Sequence, residues 1–440
     1  MTLDRVRHVF LLLLIALSFY ISYNIWVPRE EGELTSTLQA TNQMPAALIE
    51  RKRLHVYAPA QYILHTDHPE KLPRKQMSEI FETLMTSVTI TELSHSEQFS
   101  REEFLMLNEA DEEHYLEMIF YTELPIGLFD GRFDNLPSDF ANKFFTRLSI
   151  NLDNPTTLYF YNSYNEEVYR GELDTSKLTE ISQLIDTENI GGTPVFPQLI
   201  KQDMVYLPEE AQKIAQFDYV MERLPNSLFV SSFFPDTSTV DVRVNNYETR
   251  YIDLTTEIRI NQVTDILTYL NQLPDLDELT NVERFNNSFY QLSNLENWVE
   301  PILLDKYNPD NNILTYRRYI DEYPIFDQQG RKSYVEIGVL EEGLSHLQIP
   351  LQITQTPISL DGSKDETLIS GREVLDEIES RSTYELSDIE GIQVGLDWTE
   401  SKESNRVIHF TPKWYVKIDG QWLTLTDLTA ESPGDENYEF

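Results

Sequence analysis

Residues Thr411 to Leu425 read TPKWYVKIDGQWLTL, and the Asp419-Gly420 pair near the centre is a sharp fold signal. A two-residue Asp-Gly loop suits the turn that joins antiparallel strands with matching twist, because both positions tolerate positive φ. The aromatic and β-branched run Trp414 to Lys417 therefore predicts a strand that folds back into Gln421 to Leu425. Upstream, Ile392 to Trp398 and Arg406 to Phe410 have the same strand composition. Before them, Ser370-Gly-Arg-Glu373 has the spacing of a capping box and opens a helix. An antiparallel sheet with a packed helix is the expected C-terminal architecture.

The same grammar extends towards the N-terminus. Tyr316 to Tyr319, Tyr334 to Leu340 and Leu347 to Ile353 are predicted strands, as are Val240 to Val244 and Thr249 to Leu254. Val263, Ile266, Leu267 and Leu270 recur at helical spacing, so the periodicity predicts a helix there with Asn261 as its cap. A charged helix is expected around Lys177 to Asp186, followed by a boundary at the turn Gly191 to Pro194. Earlier strands are expected at Tyr115 to Tyr121, Phe145 to Leu152 and Thr157 to Tyr161. RKQMSEIFETLMTSV places Met77, Ile80, Phe81, Leu84 and Met85 on one helical face, and HVYAPAQYILH is extended around Pro59.

From Val9 to Val27 the chain runs VFLLLLIALSFYISYNIWV without a charge, and as a helix this covers roughly 28 Å, enough to cross a bilayer. Arg5 and Arg7 precede it and Glu30, Glu31 and Glu33 follow, so the positive-inside rule puts the N-terminus in the cytoplasm and the body outside. The exit through Tyr20, Tyr23 and Trp26 into Pro28 offers no small-x-small cleavage site, which makes the helix a retained anchor. Ser18 and Ser22 share a face at small-xxx-small spacing, and Asn24 adds a hydrogen-bonding group, so these three are candidate helix-packing residues. Serines can also bond back to their own helix, which is the plain alternative.

The expected fold class is therefore α+β: a transmembrane helix, then a multi-domain extracytoplasmic body of antiparallel sheets with packed helices. Expected limits are a cytoplasmic end at 1–8, the anchor at 9–27, a polar stalk at 28–53, domains at 54–180, 181–300 and 301–430, and an acidic tail at 431–440. At 440 residues the length suits two or three domains, and 40% hydrophobic with 12% aromatic residues supplies a core. A net charge of -40 repels nucleic acid, although a solvated surface accounts for the same excess. With no Cys, disulfides and thiolate chemistry are excluded, and a cysteine-free exported body of this size leans towards a bacterium.

Catalytic signatures are missing: there is no HExxH, GxSxG, SxxK, GxGxxG or Walker loop, and Gly343-Leu-Ser345-His346 lacks the second glycine of a nucleophile elbow. The local cluster His65-Thr-Asp67-His68 has metal-ligand residue types, but a solvated turn is the expected reading. DGRFDN (130–135) and NPDNN (308–312) carry oxygen ligands without the spacing of a calcium loop, and are expected to be turns. Hence no catalytic residue, metal or cofactor is assigned. Paired carboxylates for glycoside hydrolysis stay open, because such pairs are defined in space.

The order of segments resembles the YycH (WalH) family across nearly the whole chain. The matching pieces are LLLLIALSFYISYNIWVP, APAQYILH, MIFYTELPIGLF, SFFPDTSTVDVRVNNYETRYIDLTTEIRI and RRYIDEYPIF, then LISGREVLDEIE, IQVGLDW and FTPKWYVKIDGQW. Gly395-Leu396 stands where the family often has Gly-Tyr. The resemblance implies a membrane-tethered α/β body of three domains without known catalytic residues, an auxiliary of the WalKR two-component system. It also implies two partners, a YycI-like paralogue and the WalK (YycG) sensor histidine kinase, contacted partly through transmembrane helices. Rival readings are an extracytoplasmic ligand-binding module or a carboxylate-dependent wall hydrolase.

Overall fold

The computed structural model describes residues 51–430, apart from 96–113, 175–190, 273–278, 359–364 and the short stretches 202, 235, 328–330, 342 and 405. The expected anchor at 9–27, most of the stalk, the helix expected at Lys177 to Asp186 and the tail lie outside the described residues. Among the described helices none is long and apolar enough to cross a membrane. The described residues group as one compact unit.

Two large sheets carry the fold, and their strand pairs are antiparallel with one exception. The N-terminal sheet has nine strands in the spatial order Ile90–His95, Val168–Leu173, Thr157–Tyr161, Phe144–Asn151, Tyr115–Pro125, Gln61–His65, Glu70–Leu72, Thr193–Ile200 and Asp203–Pro208. The helix Arg74–Ser87 covers it with Met77, Phe81, Leu84 and Met85, the apolar stripe expected from the 3.6-residue period. Phe120, Phe145 and Phe160 interlock beneath this helix edge to face, with ring centroids 5.2–5.3 Å apart.

The second sheet has fourteen strands. Its main path runs Asp241–Val244, Glu248–Asp253, Thr256–Asn261, Ile266–Asn271, Leu344–Pro350, Tyr334–Val339, Ile313–Ile320, Tyr323–Phe326, Ile389–Glu400, Val407–Ile418, Phe217–Arg223 and Gln352–Pro357. Ile302–Asn308 joins at Ile313–Ile320, and Gln421–Thr424 joins at Val407–Ile418. The exception is the parallel pair formed by Tyr323–Phe326 and Ile389–Glu400. Helix Asn281–Leu295 presses Phe285, Ser288 and Leu292 into this sheet, and helix Gly371–Arg381 buries Val374 and Ile378 beside Trp414 and Val416. The mostly-sheet character with a few packed helices agrees with the expected α+β body.

The Asp419-Gly420 turn forms as expected, with φ of 48° and 75° and the register Ile418↔Gln421. The expected capping box at Ser370 also forms: its Oγ accepts from the Glu373 amide at 3.3 Å, and the Glu373 carboxylate accepts from the Ser370 amide at 2.8 Å.

Two local expectations are corrected. Residues 263–270 are not a helix: Ile266–Asn271 is a strand paired with Thr256–Asn261. Asn261 does cap backbone amides, those of Val263 and Thr264, but in a tight turn that Asp265 completes at φ 55°. Four apolar positions fitted both periods, and hairpin pairing decided between them. The separate strands expected at 406–410 and 414–417 are one strand, Val407–Ile418, running through Pro412. One flank of that strand pairs with Phe217–Arg223 up to Phe410 and with Gln421–Thr424 from Tyr415 onward. Pro412 sits in the gap between those two partners, where its missing N–H forfeits no ladder bond.

The two sheets share one continuous apolar core. Tyr57, fully buried, donates its hydroxyl to the Phe285 carbonyl at 2.6 Å and lies 3.0 Å from the Tyr316 hydroxyl. Arg53 donates to Asn286 at 2.7 Å, Arg51 to the Trp298 carbonyl, and the Tyr307 amide to Thr122 at 3.1 Å. The chain thus enters its folded part already fastened to the second sheet.

Candidate functional site: an aromatic hollow at the last hairpin

Three of the segments that carried the resemblance converge in space. Phe326, at the end of RRYIDEYPIF, stacks on Tyr415 with centroids 4.0 Å apart and touches Trp422 at 5.4 Å. Gly395 supplies the room: a Cβ there would fall 2.3 Å from Phe326 Cε2. Above the Phe326 ring, at 4.6 Å, lies the guanidinium of buried Arg317, which Asp305 grips at 2.9 Å through both Nε and Nη2. Burial lowers the affinity of Arg317 for its proton, but Asp305 outweighs this and its pKa is raised.

Around these rings opens a hollow of about 750 Å³, lined by Arg317, Phe326, Asp327, Ser333, Tyr334, Asp397, Tyr415, Asp427 and residues 420–424. Its three carboxylates are engaged by the chain itself. Asp327 accepts the amides of Arg331, Lys332 and Ser333 at 2.9–3.1 Å. Asp397 accepts from Lys413 Nζ at 2.6 Å and from the Tyr415 hydroxyl at 3.2 Å. Asp427 accepts from the Thr424 hydroxyl at 2.6 Å. Burial, then the Asp397 charge, pushes the Tyr415 phenol far above its ordinary value, so it stays a neutral donor. Carboxylates bound to lysine, tyrosine and backbone donors suit a shaped recognition surface better than proton transfer.

A second cluster lies wholly inside the N-terminal sheet. Glu117 is fully buried and accepts from Arg147 at 2.6 Å, from Tyr206 at 2.7 Å and pairs with His65 at 2.9 Å. Arg147 continues to Asp203 and to the Met204 carbonyl. Burial drives the Glu117 pKa up, yet Arg147 and His65 together hold it down at about 2. Such a saturated network, open to solvent only through half-exposed Asp203, fixes strand register and offers no open coordination position. His65 is thus the buried end of a strand, while His68 closes a turn with Thr66.

The other sequence candidates fall as follows. Ser18, Ser22 and Asn24 lie outside the described residues. Asp130 closes the short helical turn Ile126–Arg132. Asn308 and Asn311 bond their own loop amides in the hairpin 308–313, with Asn312 at φ 57°. No group of three or more His, Asp or Glu placed to hold a metal occurs among the described residues. The Glu117–Arg147 network was missed from sequence, and its signal was a single charge inside each of two apolar runs, YLEMIFY and FFTRLSI.

Fold and site together define an antiparallel, mostly-sheet body with an aromatic hollow at its final hairpin. Residues 4–189 match the family described as YycH protein, N-terminal domain, and residues 202–432 match YycH protein, C-terminal domain. The chain belongs to the YycH family. A similar solved structure is the crystal structure of YycH from Bacillus subtilis, with TM-score 0.71, 15% identity, and coverage of 86% of this chain and 98% of that one. At this identity the likeness is one of fold. No curated protein matches the chain.

Proposed function

We propose that this chain is a membrane-anchored, extracytoplasmic regulator of a WalK-type sensor histidine kinase, working beside a YycI-like partner. Family membership over both halves of the chain carries this reading. The apolar run at 9–27 would cross the membrane, and its Ser18, Ser22 and Asn24 face would pack against a kinase helix. The exterior body would favour one kinase state over the other. A coupling of about 1 to 3 kcal/mol shifts a two-state ratio by roughly 5- to 150-fold, an amount one helix interface can supply.

Crosslinking in living cells tests this, with photo-probes at Ser22, at Leu13 on the opposite helix face, and at exposed Tyr247 on the body. Capture of a sensor kinase from Ser22 but not Leu13 supports contact through the anchor. Capture from Tyr247 alone moves the contact to the exterior, and no membrane-protein capture at any site removes the proposal. The hollow beside Trp422 favours a second reading, a ligand-binding module. Wall fragments that quench the fluorescence of the wild type but not of Trp422→Phe would support it.

A further inference from the structure

Where the two sheets face each other, a second and smaller cavity of about 110 Å³ lies between Gln61, Lys71 and Arg74 on one side and Tyr323, Gln393 and Trp414 on the other. That volume holds a few water molecules or one small organic anion. Two of its polar groups are donors without acceptors. Arg74 is 8% exposed and Gln393 7%, yet Arg74 Nε and Gln393 Nε2 have no hydrogen-bond partner. The rest of each side chain is fixed: Arg74 Nη2 donates to the Asp321 carbonyl, and the Tyr121 hydroxyl donates to Gln393 Oε1 at 2.6 Å. The guanidinium also lies 4.9 Å over the Tyr319 ring. Other buried donors of the structure, such as Arg51 Nε and Trp398 Nε1, are also unmatched, but Arg74 and Gln393 line one cavity together, and each unmatched donor costs about a lost hydrogen bond.

We propose that this cleft binds a small monoanionic carboxylate, whose oxygens accept from Arg74 Nε and Gln393 Nε2 and whose charge is neutralised by Lys71 and Arg74. Charge selects the class. Lys71, Arg74 and Glu322 line the cavity and sum to one positive charge, which balances a carboxylate and leaves a phosphate dianion uncompensated. The remaining wall is mixed, but Leu72, Val195, Leu207 and Ile392 give it an apolar part against which the short hydrocarbon body of the carboxylate can lie. Burial draws the Lys71 ammonium below its ordinary value against the opposing pull of Glu322, and a second carboxylate beside it relieves that penalty. Free acids and the C-terminal carboxylate of a short peptide share this chemistry.

The test is saturation-transfer NMR on the full-length chain in detergent micelles, with propionate, N-acetylalanine and inorganic phosphate as probes. Saturable propionate binding, at least about tenfold tighter than phosphate, is the expected result. If N-acetylalanine binds as well, the site takes chain-end carboxylates; if propionate alone binds, it takes free acids. Lys71→Met, a half-buried strand residue, should weaken propionate about tenfold with unchanged circular dichroism. Gln393→Glu places a fixed carboxylate against the site and should abolish binding. The proposal is overturned if propionate does not saturate, which assigns the donors to water, if phosphate binds equally well, or if Lys71→Met binds like the wild type.

Discussion

Glu117 shows how one side chain can set a pH limit on the fold. Its carboxyl sits at about 2 in the folded chain against an ordinary 4.5, so the folded state favours the ionised form. The stability this contributes is complete above about pH 4.5 and is lost as pH falls through about 2, and it amounts to ~3 kcal/mol. Glu117→Gln removes it and leaves Arg147 with less compensation, for an expected loss of about 3–5 kcal/mol at neutral pH. Urea unfolding of both proteins between pH 7 and 2 checks this, because their difference should shrink on acidification. Gly395→Ala is the matching steric case. A methyl group 2.3 Å from Phe326 Cε2 must displace the ring stacked on Tyr415, at a cost of about 1–3 kcal/mol. A difference that stays flat with pH, or an alanine variant as stable as the parent, would contradict these two accounts.

At the scale of elements, legibility followed the strength of local signals. The Asp419-Gly420 turn, the Ser370 box and the amphipathic stripe of Arg74–Ser87 are encoded within a few residues, and each was readable. The helix Asn281–Leu295 was equally readable but overlooked: Thr280 and Glu283 stand at capping-box spacing, and the Thr280 amide donates to the Glu283 carboxylate at 2.9 Å. Thr280→Ala should cost this helix about 1 kcal/mol, seen as faster amide exchange at residues 281–284 while Gly371–Arg381 keeps its rates. Strand Val407–Ile418 was not readable as one piece, since a proline is harmless only where pairing leaves a gap. Nor could sequence show that Arg317, Phe326, Gly395 and Trp422 would meet. Their separation of up to about a hundred residues leaves no local periodicity to read.

Over the whole molecule, the joined core predicts that both sheets unfold together. Trp298, Trp398, Trp414 and Trp422 all lie in or beside the second sheet, and the described part of the N-terminal sheet contains no tryptophan. In a Trp26→Phe background, fluorescence therefore reports on one sheet and far-UV circular dichroism on both. Coincident urea midpoints are expected, and fluorescence loss separated from the dichroism transition would mean that the sheets melt independently.

The fastening of Arg51, Arg53 and Tyr57 to residues 285–298 also sets how the molecule bears load. Tension applied through the preceding chain reaches helix Asn281–Leu295 and the loop at Trp298, which pack on the second sheet, before it can peel strand Gln61–His65 from the first. Residues 51–57 thus act as a mechanical clamp, and pulling by the N-terminus should meet its first resistance there, at the junction of both sheets.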